Sequence, residues 1–99
     1  MKREQIAKNI VADLKELAAL TSDADGAQRV AWTPTFKKAT EWFTQKMQAA
    51  GADVWTDAAG NSWAKFAGES KECIVSGSHL DSVPDGGWLD GALGVVAGM

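Results

Sequence analysis

The chain has 99 residues, a formal net charge of −3, 45% hydrophobic residues and 23% charged residues. This composition predicts one small ordered domain, or part of a larger one, and excludes a disordered segment. The acidic balance excludes the basic surface that binds nucleic acid or an anionic membrane, so neither partner is expected. The single cysteine, Cys73, excludes an intrachain disulfide and, without a signal-like N-terminus, predicts a cytoplasmic location.

Two amphipathic helices are predicted in the first half of the chain. From Glu4 to Leu20, apolar residues recur on one helical face, and a polar loop follows over residues 21–26. The second helix follows Thr33, a good N-cap residue, has Pro34 at its first position and stops at Gly51. The residues predicted on its buried face are Phe36, Ala39, Phe43, Met47 and Ala50.

Three extended segments are predicted next. Asp53–Thr56 and Ser62–Ala67 flank a loop of about five residues and indicate an antiparallel hairpin. Residues 73–79 indicate a third and most buried strand, in which Cys73 is a buried, small apolar residue. Residues 91–99 indicate a helix that is apolar on all sides and must be enclosed by other elements. Such elements are not found here, so we expect the truncated N-terminal part of a larger protein.

The side chains that could bind a metal or take part in catalysis are concentrated in the stretch 77–91. It contains the only histidine of the chain, His79, followed by Asp81, Asp85 and Asp90. Imidazole and carboxylate are ligands that zinc selects. On an extended chain His79 and Asp81 face the same way, so the Asp81 carboxylate can orient the imidazole. After a glycine-rich turn, Asp90 can fold back and offer two oxygens, which suits a carboxylate that bridges two cations.

The spacing alone leaves structural roles open for the same residues. A histidine near a strand end is commonly a satisfied polar residue, Asp81 and Asp85 are also turn formers, and Asp90 suits the N-cap of the last helix. Two protein ligands also do not complete a catalytic zinc site, which normally has three. Arg29, ahead of the second helix, is either a solvated cation or a ligand for a carboxylate. Motifs for phosphate loops, dinucleotides or a serine nucleophile are absent from the sequence.

In several blocks the sequence resembles the N-carbamoyl-L-amino-acid hydrolases. This family also contains allantoate amidohydrolase and β-ureidopropionase, and it is related to the zinc aminopeptidase-like amidohydrolases such as aminoacylase. The resemblance covers nearly the whole chain, and the last two blocks together are its most specific part. The blocks are QRVAWT at 28–33, AGADV at 50–54, DAAGN at 57–61, GSHLDSV at 77–83 and GGWLDGALGV at 86–95.

The resemblance implies an α/β fold, with residues 1–99 as the N-terminal portion of a three-layer α/β/α metallohydrolase domain with a mixed sheet and no second domain. It implies that His79 is a terminal ligand to one of two divalent ions (zinc, or manganese, cobalt or nickel) and that Asp90 bridges both. Asp81 is implied as the catalytic carboxylate behind His79. Leu89 departs from the aromatic residue that the family often has before the bridging Asp. The general base and the other ligands lie beyond residue 99, so the site is incomplete in this chain.

The implied activity is metal-dependent hydrolysis of linear amide or carbamoyl C–N bonds. The expected partners are an N-carbamoyl or N-acyl amino acid substrate and a second subunit in a homodimer, while the 99-residue chain alone is expected to be inactive. Two alternatives stay open. One is an aminoacylase-type or peptidase-type metallohydrolase with the same half-site. The other is a catalytically incompetent, truncated module that self-associates through its apolar final helix and five tryptophans.

Overall fold

The computed structural model describes residues 2–99, which form helices and two small antiparallel sheets; Met1 lies outside the described residues. The α/β class predicted from the sequence is confirmed by this mixture of elements, and so are the predicted helices. In chain order the elements are α1 (Arg3–Thr21), β1 (Ser22–Asp23), β2 (Gly26–Ala27), α2 (Pro34–Ala49), β3 (Asp53–Thr56), β4 (Ser62–Lys65) and α3 (Ala92–Gly98).

Helix α2 begins and ends where its capping residues predict. The Thr33 side chain accepts a hydrogen bond from the backbone N–H of Phe36, Pro34 is the first helical residue, and Gly51 follows the helix with φ +96°. The buried face was predicted only in part, because Ala50 is exposed and Trp42 is buried instead. The Trp42 indole can lie against α1 because its N–H donates to Glu16 Oε1 at 2.8 Å.

Both sheets are two-stranded hairpins. The predicted hairpin is confirmed as β3–β4, with Asp53 opposite Lys65 and the five residues 57–61 as its loop. Trp55 and Trp63 stack across it, with ring centroids 6.2 Å apart. The predicted polar loop over residues 21–26 instead contains the short pair β1–β2, joined by a tight turn that the Asp23 carboxylate caps through the N–H of Asp25.

The prediction of a third strand at residues 73–79 is wrong. Residues 73–79 pair with no strand among residues 2–99, and the side chain of Ile74 is 100% exposed. Cys73, predicted as buried, is an exposed free thiol. A strand needs a neighbour to satisfy its N–H and C=O groups, and no described residue offers one to this segment. The apolar side chains that suggested burial therefore lie on an open surface.

The core lies where α1, α2 and α3 meet. Its buried members are Leu14, Leu17, Ala39, Trp42, Leu80, Ala92 and Val96. Among the described residues, helix α3 buries one side in this core through Ala92 and Val96, while Leu93 on the other side is exposed. Leu80 matters most for the site, because its burial anchors the segment that carries His79. None of the described helices has the length and apolarity to cross a membrane.

Candidate metal centre

The stretch before α2 is hydrogen-bonded to the stretch that follows His79. Ala27 and Gly86 exchange two backbone hydrogen bonds of 2.9 Å each. Two residues further along, the Arg29 carbonyl accepts from the Ser82 N–H at 2.8 Å, and the Arg29 N–H donates to Ser82 Oγ at 3.0 Å. Residues 27–29 therefore fix the path of residues 82–86. Nothing in the local sequence pattern indicates this pairing, because its partners are more than fifty residues apart.

Arg29, one of the residues that pair with residues 82–86, has a fully buried side chain, with 0% exposure. Its Nε–H donates to the carbonyl of Leu80 at 2.6 Å, while Nη1 and Nη2 have no hydrogen-bond partner among the described residues. Burial lowers the pKa of the Arg29 guanidinium, and the negative charges of Asp81 and Asp90 partly oppose that shift. Arg29 is thus neither a solvated cation nor hydrogen-bonded to a carboxylate of the described residues.

The structure brings together the three residues predicted to form the site. His79 Nδ1 lies 3.0 Å from the carbonyl oxygen of Asp81 and 3.3 Å from its carboxylate Oδ1. On the other side of the ring, His79 Nε2 lies 3.8 Å from Asp90 Oδ2. All three side chains are about half-exposed or more. Their convergence agrees with the spacing argument, while their roles as ligands and catalytic carboxylate stay predictions.

The contacts of the imidazole favour one of its two neutral tautomers. The Asp81 carbonyl can only accept a hydrogen bond, so in neutral His79 the hydrogen lies on Nδ1 and is donated to Asp81. The lone pair of Nε2 is then directed towards Asp90. A metal-bound histidine commonly has this arrangement, in which one nitrogen binds the ion and the other donates to an oxygen that fixes the ring.

Two glycines allow α3 to approach the imidazole. Gly91 has φ +70°, and a β-carbon placed there would overlap the carbonyl oxygen and the ring of His79. A β-carbon at Gly94, one turn on, would lie 2.7 Å from Ser78 Oγ. Gly91 also occupies the N-cap position of α3, so the alternative in which Asp90 is the N-cap is not found. Asp90 is instead held beside His79 by the turn into the helix.

The donor atoms fit a metal ion of the kind that the resemblance implies. A ligand bond to zinc from nitrogen or oxygen is about 2.0–2.2 Å, so an ion shared by two donors requires them to lie within roughly 4.2 Å. The 3.8 Å separation of His79 Nε2 and Asp90 Oδ2 satisfies this condition. Asp81 does not act as a third donor on the same side, because it contacts the opposite nitrogen of the ring.

A second group of acidic side chains was not predicted as a cluster. Carboxylate oxygens of Asp23, Asp25 and Asp85 lie within 4.8 Å of one another, the one group of three such donors found among residues 2–99. The side-chain amide of Gln28 donates to Asp23 at 3.0 Å and to Asp85 at 2.7 Å. This amide bond lowers the pKa of Asp23 most strongly. Asp85 has φ +54°, so the turn role considered for it agrees with the structure.

Similar proteins were found both by sequence and by structure. The chain is 36% identical over 95 residues to an N-carbamoyl-L-amino-acid amidohydrolase of Paenarthrobacter aurescens, which covers 94% of the chain and 23% of that protein. It is 34% identical over 76 residues to the allantoate amidohydrolase of Escherichia coli, covering 75% of the chain and 19% of that protein. The resemblance to this family is confirmed. No protein-family model matches the chain.

The solved structure of an amidase of the hydantoinase/carbamoylase family from Burkholderia phymatum superposes with a TM-score of 0.74 at 36% identity. The match covers 88% of this chain and 21% of that protein. The α/β arrangement described above is therefore that of a fragment of the carbamoylase fold. The chain spans about a fifth of the length of the relatives that it matches.

Proposed function

We propose that this chain supplies part of the metal centre of an amidohydrolase that cleaves the carbamoyl C–N bond of N-carbamoyl-L-amino acids. In this proposal residues 1–99 are the N-terminal portion of a metallohydrolase catalytic domain. The observation that carries it is the arrangement of His79, whose Nε2 lies 3.8 Å from Asp90 while its Nδ1 is turned to Asp81. Relatives named for N-carbamoyl-amino-acid and allantoate hydrolysis support the substrate class.

Each residue has a distinct task in this proposal. His79 Nε2 and the Asp90 carboxylate would hold the ions. Asp81 accepts the Nδ1 hydrogen, which prevents the ring from rotating and makes Nε2 a better donor. Gly91 permits the close approach of Asp90 and α3 to the ring. When bound, two divalent ions would lower the pKa of a water molecule and polarise the carbonyl of the substrate.

Metal binding by the chain itself provides the first test. His79 is the only histidine, so its ring ¹⁵N signals report directly on zinc added to the 99-residue chain. We expect the Nε2 signal to shift on titration with Zn²⁺. We expect calorimetric titration, which does not need the histidine signal, to show that the His79→Gln and Asp90→Asn variants bind at least about tenfold more weakly. Asp53→Asn, which removes the same charge from an exposed position at the start of β3, serves as the control. Equal zinc affinity in all four proteins would contradict the proposed ligands.

Activity can be tested by grafting the chain into a relative. We expect a chimera with these residues in place of the matching segment of the Paenarthrobacter aurescens enzyme to hydrolyse N-carbamoyl amino acids in preference to N-acetyl amino acids and dipeptides. Preference for either of the latter two would favour the aminoacylase-type or peptidase-type alternative. The unfused chain with zinc should release no ammonia, because two ligands do not complete the site.

A second candidate function is an association surface. Large apolar side chains are exposed on the segment that follows β4, among them Phe66, Ile74 and Val75. Monomeric soluble proteins rarely expose such patches without an interaction role. Light scattering combined with metal analysis separates the candidates, since a dimer that takes up no zinc favours a non-catalytic module. The proposed homodimer and the proposed cytoplasmic location rest, respectively, on this surface and on the single free thiol.

A further inference from the structure

Arg29 has a placement that the metal-ligand assignment does not explain. A guanidinium with no exposed surface is costly to bury, and two of its three nitrogens have no hydrogen-bond partner among residues 2–99. A cationic side chain retained in such a position is usually compensated by a specific interaction. Among residues 2–99, its one side-chain hydrogen bond goes to the carbonyl of Leu80.

That carbonyl belongs to the residue between His79 and Asp81. The 2.6 Å bond from Nε fixes its direction, and therefore the plane of the Leu80–Asp81 peptide that contains this carbonyl. The backbone of Arg29 adds two further bonds to Ser82, at 2.8 Å and 3.0 Å. Arg29 thus makes three hydrogen bonds to the chain just after His79, to Leu80 and Ser82. The segment just before His79, residues 73–79, has no strand pairing among the described residues.

We propose that Arg29 is a positioning residue of the metal centre, which fixes the orientation of His79 towards Asp81 and Asp90 by holding the Leu80 carbonyl. The inference rests on the proposed function, because it assigns a purpose to an imidazole orientation that only a ligand needs. The Nδ1 hydrogen bond of His79 ends on the carbonyl of Asp81, the next peptide along. A change of the Leu80 peptide plane would therefore rotate this acceptor away from the ring.

A lysine cannot replace this interaction. Its ammonium keeps the charge close to Asp81 and Asp90, but it lacks the planar fork and the Nε–H that reaches Leu80. Arg29→Lys therefore separates the charge from the hydrogen bond, and Arg29→Met removes both. Arg3, the only other arginine, is exposed on α1, so Arg3→Lys and Arg3→Met are matched controls.

The test follows the ring ¹⁵N signals of His79 in the metal-free 99-residue chain at a pH where imidazole is neutral. In the wild-type chain and the Arg3 variants we expect the hydrogen to lie on Nδ1. In Arg29→Lys and Arg29→Met we expect the signals to move to the tautomer mixture of free histidine while the circular dichroism spectrum stays that of the wild type. Unchanged signals in folded Arg29→Lys would overturn the proposal, because a merely structural arginine leaves the tautomer unaffected.

A measurement on the wild-type chain covers the case in which the Arg29 variants do not fold. Only two arginine Nε–H signals exist, and we expect that of Arg29 to exchange with solvent at least about tenfold more slowly than that of Arg3. Equal exchange rates would overturn the proposal.

Zinc titration separates the positioning role of Arg29 from the proposed metal centre. If the chain binds no Zn²⁺ but the His79 tautomer still changes in the Arg29 variants, then Arg29 orients the imidazole and the metal centre is rejected. If wild type and folded Arg29→Lys bind zinc equally and have the same His79 tautomer, then the metal centre is retained and the positioning role of Arg29 is rejected.

Discussion

His79 and Gly91 are in such close contact that the glycine has no room for a side chain. A β-carbon at Gly91 would overlap both the carbonyl oxygen and the imidazole of His79. The backbone of Gly91 also has φ +70°, which side chains of L-amino acids rarely tolerate. The contact joins the segment that carries the proposed terminal ligand to the turn that carries Asp90. The geometry of the site therefore depends on a residue that has no functional group.

We predict that Gly91→Ala displaces His79. The positive φ alone costs about 1–3 kcal/mol for a residue with a β-carbon, and the overlap must be relieved by moving the imidazole. Zinc affinity, measured by titration of the His79 ring signals, should fall by at least about tenfold. Gly87→Ala is the control, since a β-carbon there meets no atom within 4 Å. If Gly91→Ala binds zinc as tightly as Gly87→Ala, the close approach has no part in the site.

The elements that were predicted correctly depend on signals within a few residues. Thr33, Pro34 and Gly51 define the ends of α2 because capping acts within one turn of the helix terminus. The β3–β4 hairpin follows in the same way from its alternating strands and its five-residue loop. His79 and Asp81 are two positions apart, so their convergence also follows from local geometry.

The errors arose where the outcome depends on residues far away in the chain. Residues 73–79 have the apolar pattern of a strand, but a strand exists only when another segment pairs with it. The contact of Arg29 with Leu80 joins positions 51 residues apart, and no spacing rule reveals it. The hydrogen bond between Trp42 and Glu16 likewise joins two helices, so the burial of Trp42 was missed. In each case tertiary packing decided what local propensity could not.

The burial of Trp42 leads to a stability prediction. Its side chain is 4% exposed, and Trp42→Ala should lower the free energy of unfolding by about 3–5 kcal/mol, because it leaves a cavity between α1 and α2. Trp42→Phe, which keeps most of the ring but loses the N–H to Glu16, should cost about 1 kcal/mol through the hydrogen bond. Urea unfolding followed by circular dichroism measures both values. Trp32, 79% exposed, is the matched control, and Trp32→Ala should cost less than about 1 kcal/mol.

The reactivity of the Cys73 thiol tests whether residues 73–79 are exposed, as in the structure, or buried in a strand, as the sequence indicated. We predict that Ellman's reagent modifies Cys73 completely without denaturant, and at a rate similar to that in guanidinium chloride, because no packing shields the sulfur. The chain has one cysteine, so the absorbance change reports on this position alone. Labelling that requires denaturant would show that the segment 73–79 is covered in solution, as by a second copy of the chain.

The loop of the β3–β4 hairpin should respond to pH through Asp57. Its carboxylate accepts from the indole N–H of Trp63 at 2.8 Å, the side-chain amide of Asn61 at 3.1 Å and the N–H groups of Asn61 and Ala59. These bonds, led by that from Trp63, lower the pKa of Asp57 to about 2. Because the folded-state pKa lies below the unfolded value of about 3.9, the charged carboxylate stabilises the hairpin above about pH 4. That contribution is lost as the pH falls through about 2.

The indole N–H signal of Trp63 reports on this transition directly. In the wild-type chain we expect its chemical shift to change with a midpoint near pH 2, in line with the lowered pKa. Asp57→Asn should abolish the transition, since the amide has no charge to lose. Asp53→Asn, which removes a carboxylate at the start of the same hairpin, should leave the midpoint where it is. A wild-type midpoint close to 4, the ordinary value for an aspartate, would mean that the carboxylate does not hold the loop in solution.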